Sequence, residues 1–169
     1  MKNIIKGLLL IGSGLAFNAY GADGSADIEL RLVHGTCNLS ADNKSMSVAL
    51  GNISRTELAP MGAVSKPVDF VIRAADCVPG MTVYYRFDGT SAGQMGAFAL
   101  DDDSEAQGIG VRISDMYRVK GPGERYGAVS IPGKDGIVSM QFNAQYISLA
   151  NNIIPGDANA TVQLSIVYE

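Results

Sequence analysis

Tryptophan is absent from this sequence, histidine occurs once and cysteine twice. A single imidazole excludes every catalytic scheme that needs two, most catalytic zinc sites among them. Charged residues make up 18% of the 169 positions, below the roughly 25% of an average globular chain. With 13 Lys and Arg against 17 Asp and Glu, and a pI near 4.9, there is no basic footprint for nucleic acid. No apolar run reaches the about 20 residues of a membrane span, so no membrane anchor is expected. What is present points elsewhere. A chain 47% hydrophobic is too apolar for disorder, and 20 glycines with so few charges suggest a β-rich protein with many turns.

Residues 1–21 read as an address. Lys2 and Lys6 precede an apolar stretch from Gly7 to Phe17, and small residues follow at Ala19, Gly21 and Ala22. That is the pattern of a secretory signal peptide, with cleavage after Gly21 or Ala22. Its removal leaves 11 basic and 17 acidic residues, a net charge of −6. Export makes the cysteines readable. Cys37 and Cys77 are the only pair, so a single connectivity exists in an oxidising compartment. Closing a loop of about 41 residues is worth on the order of 4 kcal/mol in the chain-entropy model. A reactive thiol with a resolving partner usually shows CxxC spacing instead, so the pair reads as a structural staple.

From residue 25 onward the dominant signal is alternation with period two. Ala26, Ile28, Leu30 and Leu32 form one set, followed by Met46, Val48 and Leu50, then by Val68, Phe70, Ile72 and Ala74. Val83, Tyr85 and Phe87 continue it, as do Val138, Met140, Phe142, Ala144 and Tyr146, and a last set runs from Ala158 to Tyr168. Such alternation marks strands with one face on a core and one on solvent. Pro79-Gly80, Gly121-Pro122-Gly123, Pro132-Gly133 and Pro155-Gly156 punctuate them. Strands separated by turn signals predict an antiparallel sandwich or barrel in a single domain.

The remaining polar features read blandly. His34 is expected to be an ordinary surface histidine. Asp101–Glu105 lacks the glycine and flanking helices of a calcium loop, so a solvated loop is expected. Gly108-x-Gly110 leads into strand-like Val111 and Ile113 and implies no dinucleotide. Lys120–Arg125 is expected to be a turn carrying two basic residues. No nucleophile, base and orienting group stand at interpretable spacing. The expectation is therefore no enzyme, no cofactor, no metal and no catalytic residue.

Taken together, the chain resembles a pilus subunit of the chaperone–usher class. The resemblance rests on Cys37 and Cys77, with Phe70-x-Ile72-x-Ala74-x-x-Cys77 leading into the second. It rests also on Phe142-x-Ala144-x-Tyr146, on Gly156 followed by alternating apolar residues to Tyr168, and on the alternating segment before the first cysteine. The short extension resembles that of minor subunits of type 1-like fimbriae. The chain departs from the family at Leu30, where a glycine is usual.

The resemblance implies an all-β, incomplete immunoglobulin-like sandwich that lacks its final strand and is completed by a donated one. It implies a signal peptide over 1–21, a donor-strand extension over 22–35 and a pilin domain over 36–169. Ala26, Ile28, Leu30 and Leu32 would enter a neighbour's groove. Phe142, Tyr146, Gly156, Val162, Leu164, Ile166, Tyr168 and Glu169 would form the acceptor groove and chaperone-binding surface. Backbone hydrogen bonds would supply affinity and alternate side chains specificity, each buried apolar side chain contributing roughly 1.5–3 kcal/mol. The partners implied are a periplasmic fimbrial chaperone, an outer-membrane usher and neighbouring subunits, with export through the periplasm to a fimbrium on the bacterial surface. Major, adaptor and terminator roles all fit, with an adaptor favoured by the short extension. Two rivals remain, a lectin-like receptor-binding adhesin and a self-complete exported β-sandwich module.

Overall fold

The alternating residues fold as strands, and the turn signals fall between them. The computed structural model describes residues 24–32, 38–39, 45–80, 82–130 and 136–168. The signal segment, His34, Cys37 and Glu169 therefore lie outside the described residues. Among those described there are ten strands and no helix. They are β1 (Ser25–Leu32), β2 (Asn38–Leu39), β3 (Ser45–Ala49), β4 (Val68–Ala75) and β5 (Thr82–Asp88), then β6 (Ile109–Ser114), β7 (Val119–Lys120), β8 (Arg125–Ser130), β9 (Val138–Ser148) and β10 (Ala160–Tyr168). One sheet has the order β3-β1-β10-β5-β8 and the other β2-β4-β9-β6-β7. All pairings between these strands are antiparallel except one, the parallel pair of β1 with β10.

The core forms where the two inner faces meet. Phe70, Ile72 and Ala74 of β4 and Val138, Met140, Phe142 and Ala144 of β9 face Val83, Tyr85 and Phe87 of β5, and all are buried. Aromatic rings pin the layers together. Phe142 meets Phe87 edge-on at 5.1 Å between centroids and Tyr85 at 5.3 Å, and Phe70 lies 5.6 Å from Phe142. Such pairs add about 0.5–1.5 kcal/mol beyond their burial. The far half of β9, Ala144–Ser148, is buried on both faces, and the segment at Val64 and Ser65 pairs with its edge as a short bridge. Ser65 N donates to Tyr146 O at 3.0 Å, and Tyr146 N donates to Ser65 Oγ at 3.0 Å. Period two is lost there because no face of that half remains for solvent. Cys77 is disulfide-bonded, and Cys37 is the chain's one other cysteine.

The expectation of a basic turn at 120–125 is corrected at Lys120, whose side chain is only 2% exposed. It folds inward because a counter-charge waits there. Its Nζ lies 2.5 Å from Asp115 Oδ2 and 4.4 Å from the centre of the Tyr126 ring. The Asp115 carboxylate also accepts from Tyr85 Oη at 3.3 Å and from the amides of Tyr117 and Arg118 at 2.8 and 2.9 Å. Burial alone would push this carboxyl up. The Lys120 ammonium and the two amides outweigh it and hold the group below its ordinary range. Desolvation, the Asp115 charge and the hydrogen bond to it push the Tyr85 phenol up. Desolvation and the hydrogen bond to Glu124 push Tyr126 up to about 12.

Asp115→Ala should cost about 3–5 kcal/mol in urea unfolding because it strands a buried ammonium, whereas replacing the pair together, Asp115→Leu with Lys120→Met, should be near neutral or stabilising. The lowered Asp115 carboxyl adds stability above the free group's 3.8, and that is lost as pH falls through its folded value. The raised Tyr126 phenol adds stability below pH 10.0, lost as pH rises through about 12. Unfolding midpoints across pH should therefore fall at both ends, and Asp115→Asn should remove the acidic limb belonging to this group.

Candidate functional site

The parallel pair marks the site. The inward residues of β10 are Ala160, Val162, Leu164 and Ile166, all at most 1% exposed. One edge of β10 pairs with β5, from Gln163↔Asp88 to Tyr168↔Val83. The other edge borders a slot whose far wall is β3, and β1 lies in that slot. It runs in register from Ala26↔Ala160 through Ile28↔Val162 and Leu30↔Leu164 to Leu32↔Ile166. Its second edge pairs antiparallel with β3, from Ser25↔Ala49 to Glu29↔Ser45. Ala26 and Ile28 are completely buried while Glu29 is exposed. A slip of one residue would turn Asp27 and Glu29 into the core, so the alternation fixes the register.

The chain's own N-terminal segment thus completes the sandwich, where the sequence led us to expect a strand from a neighbour. The physical reason is proximity. In a lone chain this segment is the alternating strand at hand, and an open slot would expose the faces of Val162, Leu164 and Ile166 together with unpaired backbone of β3 and β10.

Polar groups close the entry to the slot. Ser25 donates to Asn159 Oδ1 from its backbone N at 3.0 Å and from Oγ at 3.2 Å. Ser104 Oγ donates to Asn159 O and accepts from Asn159 N, at 3.1 and 3.0 Å. The Asp101 carboxylate accepts from Thr161 N and Oγ1, both at 2.9 Å. The Asp101–Glu105 run is therefore more than a solvated loop, for Asp101 and Ser104 tie it to the start of β10. Tyr146 Oη donates to Ala158 O at 2.8 Å. Gly24 passes over this pair so closely that a Cβ would collide with the Ala158 oxygen and the Tyr146 hydroxyl and lie 2.6 Å from the Ala158 carbonyl carbon.

The structure brings Ala26, Ile28, Val162, Leu164 and Ile166 together in the slot, and sets Tyr146 at its entry. Phe142 lies on the opposite sheet in the aromatic core. Gly156 stands outside the slot, where a Cβ would lie 2.6 Å from Glu105 Cβ and 2.9 Å from Ala106 N. Its smallness lets the segment leading into β10 cross residues 105–106. The backbones of Leu30, Leu32 and Tyr168 are in the ladders; their side chains lie outside the described set. Sequence reasoning missed Gly24, Ser25, Asp101, Ser104 and Asn159, which belong to no alternating pattern. Among the described residues no group of three His, Cys, Asp or Glu could hold a metal ion.

Comparison with known proteins places this architecture. The family described as fimbrial protein matches residues 25–169. The chain is 33% identical to the fimbrial-like protein FimF of Salmonella typhimurium over 86% of this chain and 85% of that protein. It is 28% identical to a type-1 fimbrial protein subunit of Serratia marcescens over the whole of both. In structure it is similar to the P pilus rod subunit PapA, with a TM-score of 0.67 and 19% identity over 79% of this chain and 99% of that one. A subunit of a chaperone–usher pilus, described in work on rod uncoiling, superposes with a TM-score of 0.68 at 20% identity, covering 97% and 100% of the two chains.

In the monomer, Ile28→Ala should cost about 2–5 kcal/mol, as for other buried aliphatic truncations. The readout is a lower urea midpoint at unchanged slope. Glu29→Ala, on the outward face of the same strand, should stay within about 0.5 kcal/mol.

Proposed function

This chain belongs to the fimbrial protein family and is a structural subunit of a pilus; we propose that it is a minor, adaptor-type subunit joined to its neighbours by donor-strand exchange. Its relatives are structural subunits rather than enzymes, its partners include other pilus subunits, and as a component of a surface pilus it is exported.

One observation carries the finer reading. The strand that completes the sandwich comes from the chain's N-terminal segment and is the single parallel member of an otherwise antiparallel pair of sheets. Antiparallel neighbours are held by short connections, but a parallel neighbour needs a long crossover. Here nearly the whole domain lies between the partners. β1 is thus the strand most readily replaced by another, and when replaced it is free to enter a second slot. A periplasmic chaperone would fill the slot of the newly exported chain. An outer-membrane usher would then oversee replacement of the chaperone's strand by that of the next subunit. Ala26, Ile28, Leu30 and Leu32 are the donor residues in this scheme. Val162, Leu164, Ile166 and Tyr168 line the acceptor, and Glu169 meets the chaperone's basic cleft. The adaptor assignment draws on the short extension over 22–35.

The filled slot is also what a self-complete exported module would have, so the decisive experiment separates the two. The chain is expressed with its own leader in a bacterial periplasm, with and without a tagged fimbrial chaperone. A one-to-one complex should form, and deleting Ser165–Glu169 should abolish it. Ala at both Ile28 and Leu32 should weaken attachment to the accepting subunit while chaperone capture persists. A soluble monomer that ignores the chaperone would overturn donor-strand exchange in favour of the self-complete module.

A further inference from the structure

We propose that Gly24, Ser25 and Asn159 form a lock that holds β1 in the chain's own slot. The inference rests on the donor-strand reading and goes beyond it by assigning a device that holds the strand at home.

The apolar ladder is a poor lock. Any strand with alternating apolar residues of suitable size can supply what Ala26 and Ile28 supply, because the pairing is made by backbone and generic burial. The entry to the slot is different. Ser25 places two donors on one acceptor, Asn159 Oδ1. That acceptor is held from behind, since Asn159 O accepts from Asp101 N at 2.8 Å and from Ser104 Oγ, and Asn159 N donates to Ser104 Oγ. The adjacent Ala158 carbonyl is fixed by the Tyr146 hydroxyl. Gly24 fits over that carbonyl because it has no Cβ. The receiving half of the lock is therefore built into the 101–104 loop, β9 and the lead into β10, and the moving half is two residues of the strand.

The lock also reads direction. Ser25 immediately precedes Ala26, and Asn159 immediately precedes Ala160, its ladder partner. The two meet because the strands run the same way. A strand entering in the opposite sense brings its other end to Asn159 and leaves that acceptor without Ser25. A closed chain has its donor strand in use and its acceptor slot filled, so it neither gives nor receives a strand until the lock opens.

The test uses the purified, chaperone-free monomer of the exported chain and a fluorescent peptide of residues 24–32, GSADIELRL, as tracer. Uptake that displaces β1 is followed by anisotropy. Gly24→Ala and Asn159→Ala, two variants on opposite sides of the lock, should each take up the tracer about tenfold faster or more, the scale of a lost 1.4 kcal/mol. Glu29→Ala, on the same strand but outside the lock, should match the parent. Uptake by the parent at the same rate as by both variants would overturn the lock and leave the donor-strand reading standing. No uptake by any of them, even at urea concentrations near the unfolding transition, would overturn both.

Discussion

A strand with a buried face and two ladder-forming edges has to be covered on all three, and β10 is such a strand. Its inward residues face the second sheet, one edge is secured by β5, and the other depends on whatever occupies the slot beside β3. Leaving that edge open would unpair backbone groups on both walls and wet the faces of Val162, Leu164 and Ile166, each buried side chain being worth roughly 1.5–3 kcal/mol. The rest of the fold supports this demand. The aromatic contacts of Phe142 with Phe87 and Tyr85 set the spacing of the sheets. Asp101, Ser104 and Tyr146 hold the lead into β10.

Under the proposed donor-strand exchange, filling the slot from within the same chain has a cost in function. A domain closed in this way would neither give nor receive a strand, whereas a polymer would need each slot closed by another chain. The two outcomes draw on the same apolar residues, so burial alone does not choose between them. In the proposed lock, direction and end chemistry do. The parallel in-chain strand reaches Asn159 with Ser25 and slides Gly24 over Ala158, and both contacts are lost when β1 leaves. The buried Lys120–Asp115 pair lies away from the slot and serves the domain itself, tying the β6–β7 turn to Tyr85 and Tyr126.

Period two made the sandwich legible. The sets at 70–74, 83–87, 138–144 and 160–166 lie in strands with the anticipated faces buried, because a half-exposed strand writes its environment into alternate positions. The signal failed where that condition failed. Gln145 and Ile147 are buried alongside Tyr146, so both faces of this half of β9 are withdrawn from solvent. Lys120 looked like a surface cation because nothing local reveals that Asp115, five positions earlier, turns inward to meet it. The slot residues were legible as an apolar set, but their occupant was not. The contacts at the occupant's end come from Gly24, Ser25 and Asn159, which belong to no alternating apolar pattern.

The account stands on β1 lying parallel in its own slot in the isolated chain. Glu29 and Gln163 are ladder partners in that arrangement, and Glu29 is on the solvent side. Cysteines at both positions, with the native pair retained, test it directly under mild oxidation. The account predicts an intrachain bridge between positions 29 and 163 in the chaperone-free monomer, identified by mass, and its absence from the chaperone-bound subunit. Bridging in neither sample, or bridging only between chains, would contradict it.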